Sequence, residues 1–129
     1  MKKLLLTIGT LLTVSVLLLG FNTVQNEGGT DLVKGIDKVL ETNEKLKKAA
    51  DKSPENTAKI NKLGKELGEN WDVIEKQVEE KYPKDYINIE KSLYPLIAYA
   101  KKDKPDVKKI VILADEVNEK LVNFKERVK

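Results

Sequence analysis

The fold class is decided by the segment VKKIVILADEVNEKLVNFKERV, which spans residues 107–128. Its apolar residues recur at spacings of three and four, so they share one face of an α-helix. This pattern is typical of the seam of a helical bundle or coiled coil. The segment therefore predicts an all-α fold in which other helices cover this face. The seam residues are Val107, Ile110, Ala114, Val117, Leu121, Phe124 and Val128.

Three earlier segments have the same helical period and are separated by capping residues and prolines. Thr30, Ser53 and Asp103 are the predicted N-caps, because short polar side chains accept bonds from the first free N–H groups of a helix. Pro83 ends one helix and starts the next, and Pro95 predicts a kink inside the latter. The predicted helices cover about residues 31–50, 53–81, 83–102 and 103–128. Their apolar stripes, in chain order, are Leu32, Ile36, Val39, Leu46 and Ala50, interrupted by the polar Asn43; Ile60, Leu63, Leu67, Trp71, Ile74 and Val78; and Tyr86, Ile89, Leu93, Ile97 and Ala100.

Four helices with short connections predict an up-down-up-down four-helix bundle. Residues 31–129 are numerous enough to bury a core without a disulfide or a structural metal. The short turn at Tyr82 and Pro83 leaves a more open array of helices as the alternative. The chain contains neither Cys nor His, which excludes thiolate and imidazole metal sites and catalysis by either side chain.

Residues 1–25 are predicted to be a signal peptide or an N-terminal membrane anchor. Two lysines precede an uncharged stretch over residues 4–21, which is the pattern of a secretory signal. The absence of Cys also suits a bacterial exported protein. The signal is either cleaved near Thr23 to Asn26 or retained, in which case residues 4–21 are the only predicted membrane contact. Residues 26–30 are predicted to be a flexible spacer, and residues 31–129 to fold outside the cytoplasmic membrane.

The charge pattern gives no indication of a nucleic-acid partner. The net charge of +3 falls to +1 without residues 1–25, since 22 basic and 21 acidic residues remain. Lysines and glutamates are interspersed along this part of the chain. We therefore interpret them as a solvated surface rather than as a stripe that binds a polyanion.

The sequence also argues against an enzyme. Beyond the export segment the only serines are Ser53, which is explained as a helix cap, and Ser92, for which no Ser-Lys arrangement is evident. No glycine-rich phosphate loop follows a strand. Gly64 and Gly68 lie four residues apart on the second helix, where they either permit close helix packing or only weaken the helix.

The carboxylates of the second and third helices form the one cluster that could bind a ligand. Asp72, Glu75 and Glu79 share one face of the second helix, and Glu90 of the third helix can approach them across an antiparallel hairpin at Pro83. Oxygen-only sites suit hard cations such as Ca²⁺, Mn²⁺ or Fe³⁺. The alternative is that these glutamates pair with lysines on a solvated surface.

Aromatic residues accompany the carboxylates. Tyr86 and Asp72 are predicted to be secondary oxygen donors to a cation held by Glu75, Glu79 and Glu90. Trp71, the only tryptophan, either packs in the core or stacks on a ligand.

The segment from Trp71 to Glu90 has the pattern W-x3-E-x2-V…P-x2-Y-x2-I-E. It resembles the N-terminal extracytoplasmic helical domain of bacterial high-affinity iron permeases, and similar Y-x2-I-E strings occur in imelysin-like exported iron-uptake proteins. The membrane spans and acidic iron-transfer motif of the permeases, and the His motif of the imelysin-like proteins, are missing from this sequence. Trp71, Glu75, Tyr86 and Glu90 match the pattern.

The resemblance implies a stand-alone extracytoplasmic relative that binds iron or a permease through Glu75, Glu79 and Glu90. We therefore expect an exported, non-enzymatic helical protein that serves iron uptake. The alternative is a metal-free helical module that binds another protein of the cell envelope.

Overall fold

A computed structural model describes residues 21–129, and the side chains from residue 31 onward. The four helices are α1 (Phe21–Lys52), α2 (Thr57–Lys81), α3 (Pro83–Ala100) and α4 (Val107–Val128). No strand occurs between residues 21 and 129, so the all-α prediction is confirmed. Residues 1–20, which contain most of the predicted signal or anchor, lie outside the described residues. None of the described helices combines the length and the apolar character that a bilayer crossing requires.

The start of α1 differs from the prediction. The helix runs through residues 26–30, which we predicted to be a spacer, and Thr30 lies inside it rather than at its N-cap. The physical reason is that extending an existing helix costs far less than nucleating one. Gly28 and Gly29 weaken such an extension by about 1 kcal/mol each. This cost does not end the helix, although we took the two glycines as the sign of a flexible spacer. Residues 32–129 form one compact unit.

The predicted N-caps of the second and fourth helices were also wrong, each by three residues. α2 is capped by Asn56, whose side chain accepts a bond from the Lys59 N–H at 3.1 Å. The N–H of Ser53 instead bonds to Ala49 O at 2.9 Å and continues the end of α1. α4 is capped by Asp106, which accepts from the Lys109 N–H at 3.2 Å, and not by Asp103. In both loops several good capping residues compete, and the sequence alone does not rank them.

Neighbouring helices of the compact unit run antiparallel to each other. In each pair, residues near the start of one helix meet residues near the end of the other. Each helix packs against two others, which is the predicted up-down-up-down bundle. The contacts that establish this are Thr42 with Asn70, Asn61 with Ala100, Glu75 with Tyr86, Ser92 with Glu116, Asp85 with Arg127, Asn43 with Ala114, and Asp37 with Lys125.

The core consists of the predicted apolar stripes with few exceptions. The stripes of α1 and α2 are buried completely, and so are the five central seam residues of α4. Tyr86 and Ile97 of α3 are only partly buried, whereas Leu96 and Ser92 are buried although they were not predicted. The stripe of α3 is therefore rotated slightly from its predicted position.

Asn43 is the polar residue inside this core. Its side-chain N–H donates to the backbone oxygen of Ala114 at 2.8 Å and thereby links α1 to α4. Its Oδ1 is buried without a hydrogen-bond partner among the described residues. A buried amide that is half satisfied costs stability, but it favours the one register that satisfies the other half.

A single residue, Tyr82, connects α2 to α3. Its N–H bonds to Val78 O at 2.7 Å and closes α2, while its carbonyl accepts from the Tyr86 N–H at 2.9 Å and opens α3. Its ring packs edge-on against Phe124 of α4, with ring centroids 5.3 Å apart. Pro83 suits the first position of α3, where no N–H is needed. This turn fixes the register of α2 against α3.

The burial of the seam predicts that truncating neighbouring residues of α4 to Ala has very different effects on stability. Leu121 is fully buried, and Val122 is 40% exposed. We expect Leu121→Ala to lower the free energy of unfolding by about 2–5 kcal/mol. Val122→Ala should change it by no more than about 0.5 kcal/mol. Chemical denaturation followed by circular dichroism measures both, and a loss below about 0.5 kcal/mol for Leu121→Ala would contradict the seam.

Substitutions of Gly64 and Gly68 test how closely α2 and α3 pack. A Cβ on Gly64 would lie 2.7 Å from the Ala100 Cβ, whereas a Cβ on Gly68 would meet only Ile97 at an ordinary 3.7 Å. Both Gly→Ala substitutions raise helix propensity by a similar amount. The difference between the stabilities of the two variants therefore measures the cost of overpacking at Gly64. We expect Gly64→Ala to be less stable than Gly68→Ala by about 1–3 kcal/mol in denaturant titrations. Equal stabilities would mean that α2 and α3 are not in close contact at Gly64.

Candidate cation-binding site

The site lies where α2 and α3 cross next to the Tyr82 turn, and its centre is Trp71. The indole is 2% exposed, and its Nε1–H donates to Glu90 Oε2 at 2.6 Å. The indole ring lies nearly parallel to the ring of Tyr86, with centroids 6.4 Å apart. Trp71 is thus a core residue whose polar edge positions a carboxylate of the neighbouring helix.

Glu75 is held by a second cross-helix contact. The phenol of Tyr86 donates to Glu75 Oε2 at 3.2 Å, and the carboxyl of Asp72 interacts with that of Glu75 along α2. The two contacts from α3, through Tyr86 and Glu90, are one helical turn apart. The structure therefore brings together Asp72, Glu75, Tyr86 and Glu90, as the sequence predicted.

Burial and mutual repulsion shift the titration of these groups. Desolvation raises the pKa of Glu75, and the charges of Asp72 and Glu90 act in the same direction against the Tyr86 hydrogen bond. Desolvation also raises the pKa of Glu90, opposed by the Trp71 bond. The pKa of Tyr86 rises to about 12, first through burial and then through the Glu90 charge.

Glu79 belongs to the cluster through its charge rather than through a hydrogen bond. It is exposed, yet its charge contributes to the raised pKa values of both Tyr86 and Glu90. We predicted Glu79 as an equal partner of Glu75 and Glu90. The structure places it at the edge of the cluster, near the Tyr82 turn.

None of these four carboxylates is paired with a cation in the part of the chain that the structure describes. No lysine or arginine nitrogen there lies within 4.0 Å of Asp72, Glu75, Glu79 or Glu90. By contrast, three aspartates that face a neighbouring helix are each paired with a lysine or arginine. The shortest ion pairs, each at 2.6 Å, join Asp37 to Lys125, Asp85 to Arg127, and Asp115 to Lys47. The alternative that these glutamates pair with surface lysines is therefore not what the structure contains.

A groove of about 390 Å³ adjoins the cluster. Gly68 and Ile97 form part of its lining, and the carboxylates of Asp72 and Glu75 stand at one end. Tyr94, which is 71% exposed, flanks the groove. Sequence analysis missed Tyr94 because it lies off the apolar stripe of α3. An exposed aromatic residue one turn from Glu90 was the only available signal.

The cluster is not a preformed metal centre. Within residues 31–129 no three acidic side chains are arranged closely enough to hold a metal ion as they stand. Glu75 and Glu90 are each hydrogen-bonded to an aromatic side chain through one oxygen. Their assignment with Glu79 as metal ligands stays a prediction, and it requires the side chains to converge when a cation arrives.

Comparison with known proteins gives one informative match. The chain is 31% identical over 99 residues to the iron uptake system component EfeM of Bacillus subtilis (strain 168). The predicted resemblance to iron-uptake proteins is confirmed. The match covers 77% of this chain but 25% of the relative, so the chain spans about a quarter of that protein. No family model and no solved structure matches the chain.

One polar cluster was missed entirely by sequence analysis. Ser92, which is 2% exposed, donates to Glu116 at 2.9 Å and accepts from the Lys120 ammonium at 2.7 Å. Lys120 also donates to the backbone oxygen of Asn88 at 2.8 Å. The Ser-Lys arrangement that we did not find in sequence thus exists across α3 and α4, with its partners 28 residues apart. The buried hydroxyl of Ser92 thus bridges Glu116 and Lys120 and links α3 to α4.

The raised pKa values predict the pH dependence of stability. Between the ordinary glutamate pKa and the raised values, the folded state binds more protons than the unfolded chain. The free energy of unfolding therefore falls as pH rises through this window. Replacing Glu75 or Glu90 by Gln keeps a hydrogen-bond acceptor and removes the charge. We expect the stability of each variant relative to wild type to increase between about pH 4 and pH 7.

Denaturant titrations at several pH values measure this difference. Glu80→Gln is the control, since Glu80 is exposed on α2 and makes no hydrogen bond in the cluster. The account would be contradicted by relative stabilities of Glu75→Gln and Glu90→Gln that decrease with pH, or that follow those of the control.

Proposed function

We propose that the protein is an exported, non-enzymatic accessory of iron uptake that binds a hard cation through Glu75, Glu79 and Glu90. The observation that supports this most strongly is the group of unpaired carboxylates between α2 and α3. Like charges at close range repel, and a cation between them would remove the repulsion. The similarity to an iron uptake system component supports iron as the cation.

The arrangement suits reversible binding. Trp71 and Tyr86 each bond to one oxygen, Oε2, of Glu90 and Glu75, which would leave the other oxygen as a donor to a cation. At Glu75 the neighbouring Asp72 carboxyl would take part as well. Oxygen donors match hard ions, and Asp72 and Tyr86 add further oxygens nearby. Glu79, the exposed member, would complete the site from the solvent side. A partly exposed site of this kind can release its ion to a partner.

Location and partner follow from the same proposal. Residues 1–25 would direct the chain out of the cytoplasm as a cleaved signal or a retained anchor. Residues 31–129 would then act on the outer face of the membrane, next to a permease or another envelope protein. A tagged full-length chain that fractionates with the cytoplasm would contradict this placement.

The groove beside the cluster favours a second candidate, a metal-free module that binds another envelope protein. Tyr94 is exposed and lines the groove, and Ile87, seven positions earlier on the same face of α3, is also exposed. Exposed aromatic residues next to a groove are typical of protein-binding surfaces. In this case the carboxylates would receive basic side chains of the partner instead of an ion.

Thermal melts of residues 26–129 distinguish the two candidates. If Fe³⁺, Mn²⁺ or Ca²⁺ binds the folded state, it stabilises that state by about 2.7 kcal/mol at a hundred times its dissociation constant. For a domain of this size, we expect the midpoint to rise by roughly 10 °C or more. The Glu75→Gln/Glu90→Gln variant should lose this rise.

The control is Glu66→Gln/Glu119→Gln, which removes two charges outside the cluster. It should keep the metal-dependent rise in full. An equal rise in all three proteins, or no rise with any of the cations, would contradict the cation site and leave the protein-binding module as the better account.

A further inference from the structure

Lysines are concentrated in two short segments of the chain. Residues 45–65 and 101–112 together contain twelve lysines and four acidic residues, a net charge of +8. The whole chain has a net charge of only +3. The remainder of the compact unit is therefore acidic on balance, and the near-neutral total conceals two regions of opposite charge.

The fold brings these two segments to the same end of the bundle. One contains the turn between α1 and α2, and the other contains the turn between α3 and α4. The side chain of Asn61 joins them, since it donates to Ala100 O at 2.7 Å and to Lys102 O at 3.0 Å. We call this region the lysine-rich end. We interpreted the interspersed charges as a solvated surface. The antiparallel helices in fact place many of the lysines together at one end of the bundle.

Most lysines of this end have no acidic partner in the described part of the chain. Five of the twelve lie within 4.0 Å of a carboxylate. The ammonium groups of Lys102 and Lys109 instead lie 4.7 and 5.5 Å from the centre of the Tyr99 ring. The seven lysines without a carboxylate partner are Lys59, Lys62, Lys101, Lys102, Lys104, Lys108 and Lys109.

Apolar surface lies between these charges. Three shallow grooves of about 360, 360 and 430 Å³ open around the lysine-rich end. Ile112, which is 59% exposed, lines two of them. The end therefore combines unpaired positive charge with accessible apolar side chains.

We propose that the lysine-rich end docks on a membrane surface that contains anionic phospholipids. Lysine is a compact charge without the planar geometry by which arginine selects one carboxylate or phosphate, and this end contains no arginine. An array of such charges matches a fluid layer of anionic headgroups better than a defined protein epitope. Ile112 supplies the apolar contact that a membrane interface accepts and a soluble polyanion does not.

This docking adds a membrane contact to the one predicted for residues 4–21. The carboxylate cluster lies nearer the opposite turn at Tyr82, and Lys101 is the one lysine of this end that lines the groove beside it. The test variant below does not change Lys101, so it leaves that groove intact. The attraction acts within about one Debye length, roughly 8–10 Å at physiological ionic strength, so binding must weaken as salt is added.

Vesicle co-sedimentation of residues 26–129 tests the proposal, since this fragment contains the complete compact unit without residues 4–21. The vesicles contain equal parts of phosphatidylglycerol and phosphatidylcholine, or phosphatidylcholine alone. The test variant replaces Lys59, Lys62, Lys104 and Lys108 by Gln. The control replaces Lys76, Lys81, Lys84 and Lys91, four exposed lysines outside this end, and so carries the same change in net charge.

We expect salt-sensitive binding to the anionic vesicles only. The test variant should bind at least about tenfold more weakly than wild type, and the control should stay within about twofold. Thermal melts of both variants establish that they are folded. Equal losses in the two variants, or no binding to anionic vesicles at low salt, would overturn the proposal.

A second pair of variants separates a lipid surface from a soluble polyanion. Ile112→Ser should weaken vesicle binding, whereas Val73→Ser, at an exposed valine of α2, should not. Polyphosphate serves as the soluble probe. Polyphosphate binding as tight as vesicle binding, together with no effect of Ile112→Ser on the vesicles, would identify a polyanion or an acidic protein as the partner and would overturn the lipid assignment.

Discussion

The single-residue connection at Tyr82 is the constraint on which the rest of the molecule depends. Two helices joined by one residue have almost no freedom to slide, and Pro83 fixes where the second one begins. The register set at this turn places Trp71 opposite Glu90 and Glu75 opposite Tyr86. At the far end of the same pair it brings Gly64 against Ala100, where a larger residue than glycine does not fit.

That register also explains why the carboxylates between α2 and α3 differ from the aspartates that form ion pairs between helices. Asp37 of α1, Asp85 of α3 and Asp115 of α4 each lie at ion-pair distance from a lysine or arginine of a neighbouring helix. Glu75 and Glu90 face aromatic residues instead, and these donate hydrogen bonds without supplying positive charge. The carboxylates of Glu75 and Glu90 are thus partly desolvated without a neutralising charge. This arrangement is unfavourable for folding, but it favours the binding of a cation or a basic partner. The lysines collect around the opposite turns.

The sequence predicted the features that depend on periodicity and failed where several local signals competed. The stripes of α1, α2 and α4 follow directly from spacings of three and four, and so does the approach of Glu90 to Asp72 and Glu75. Ser53 and Asp103 were preferred over the true caps because all are good capping residues within one helical turn. The Ser92–Lys120 bridge and the lysine-rich end join residues from distant segments, and only the packed helices reveal them.

The most direct test of the central claim is the indole N–H resonance of Trp71, which is unique because the chain has one tryptophan. Its chemical shift reports the protonation of Glu90, to which it donates. We predict that the resonance moves with pH, that its midpoint lies above the ordinary pKa of glutamate, and that the movement disappears in Glu90→Gln. A resonance that does not titrate, or whose titration persists unchanged in Glu90→Gln, would contradict the arrangement of α2 and α3 on which the site depends.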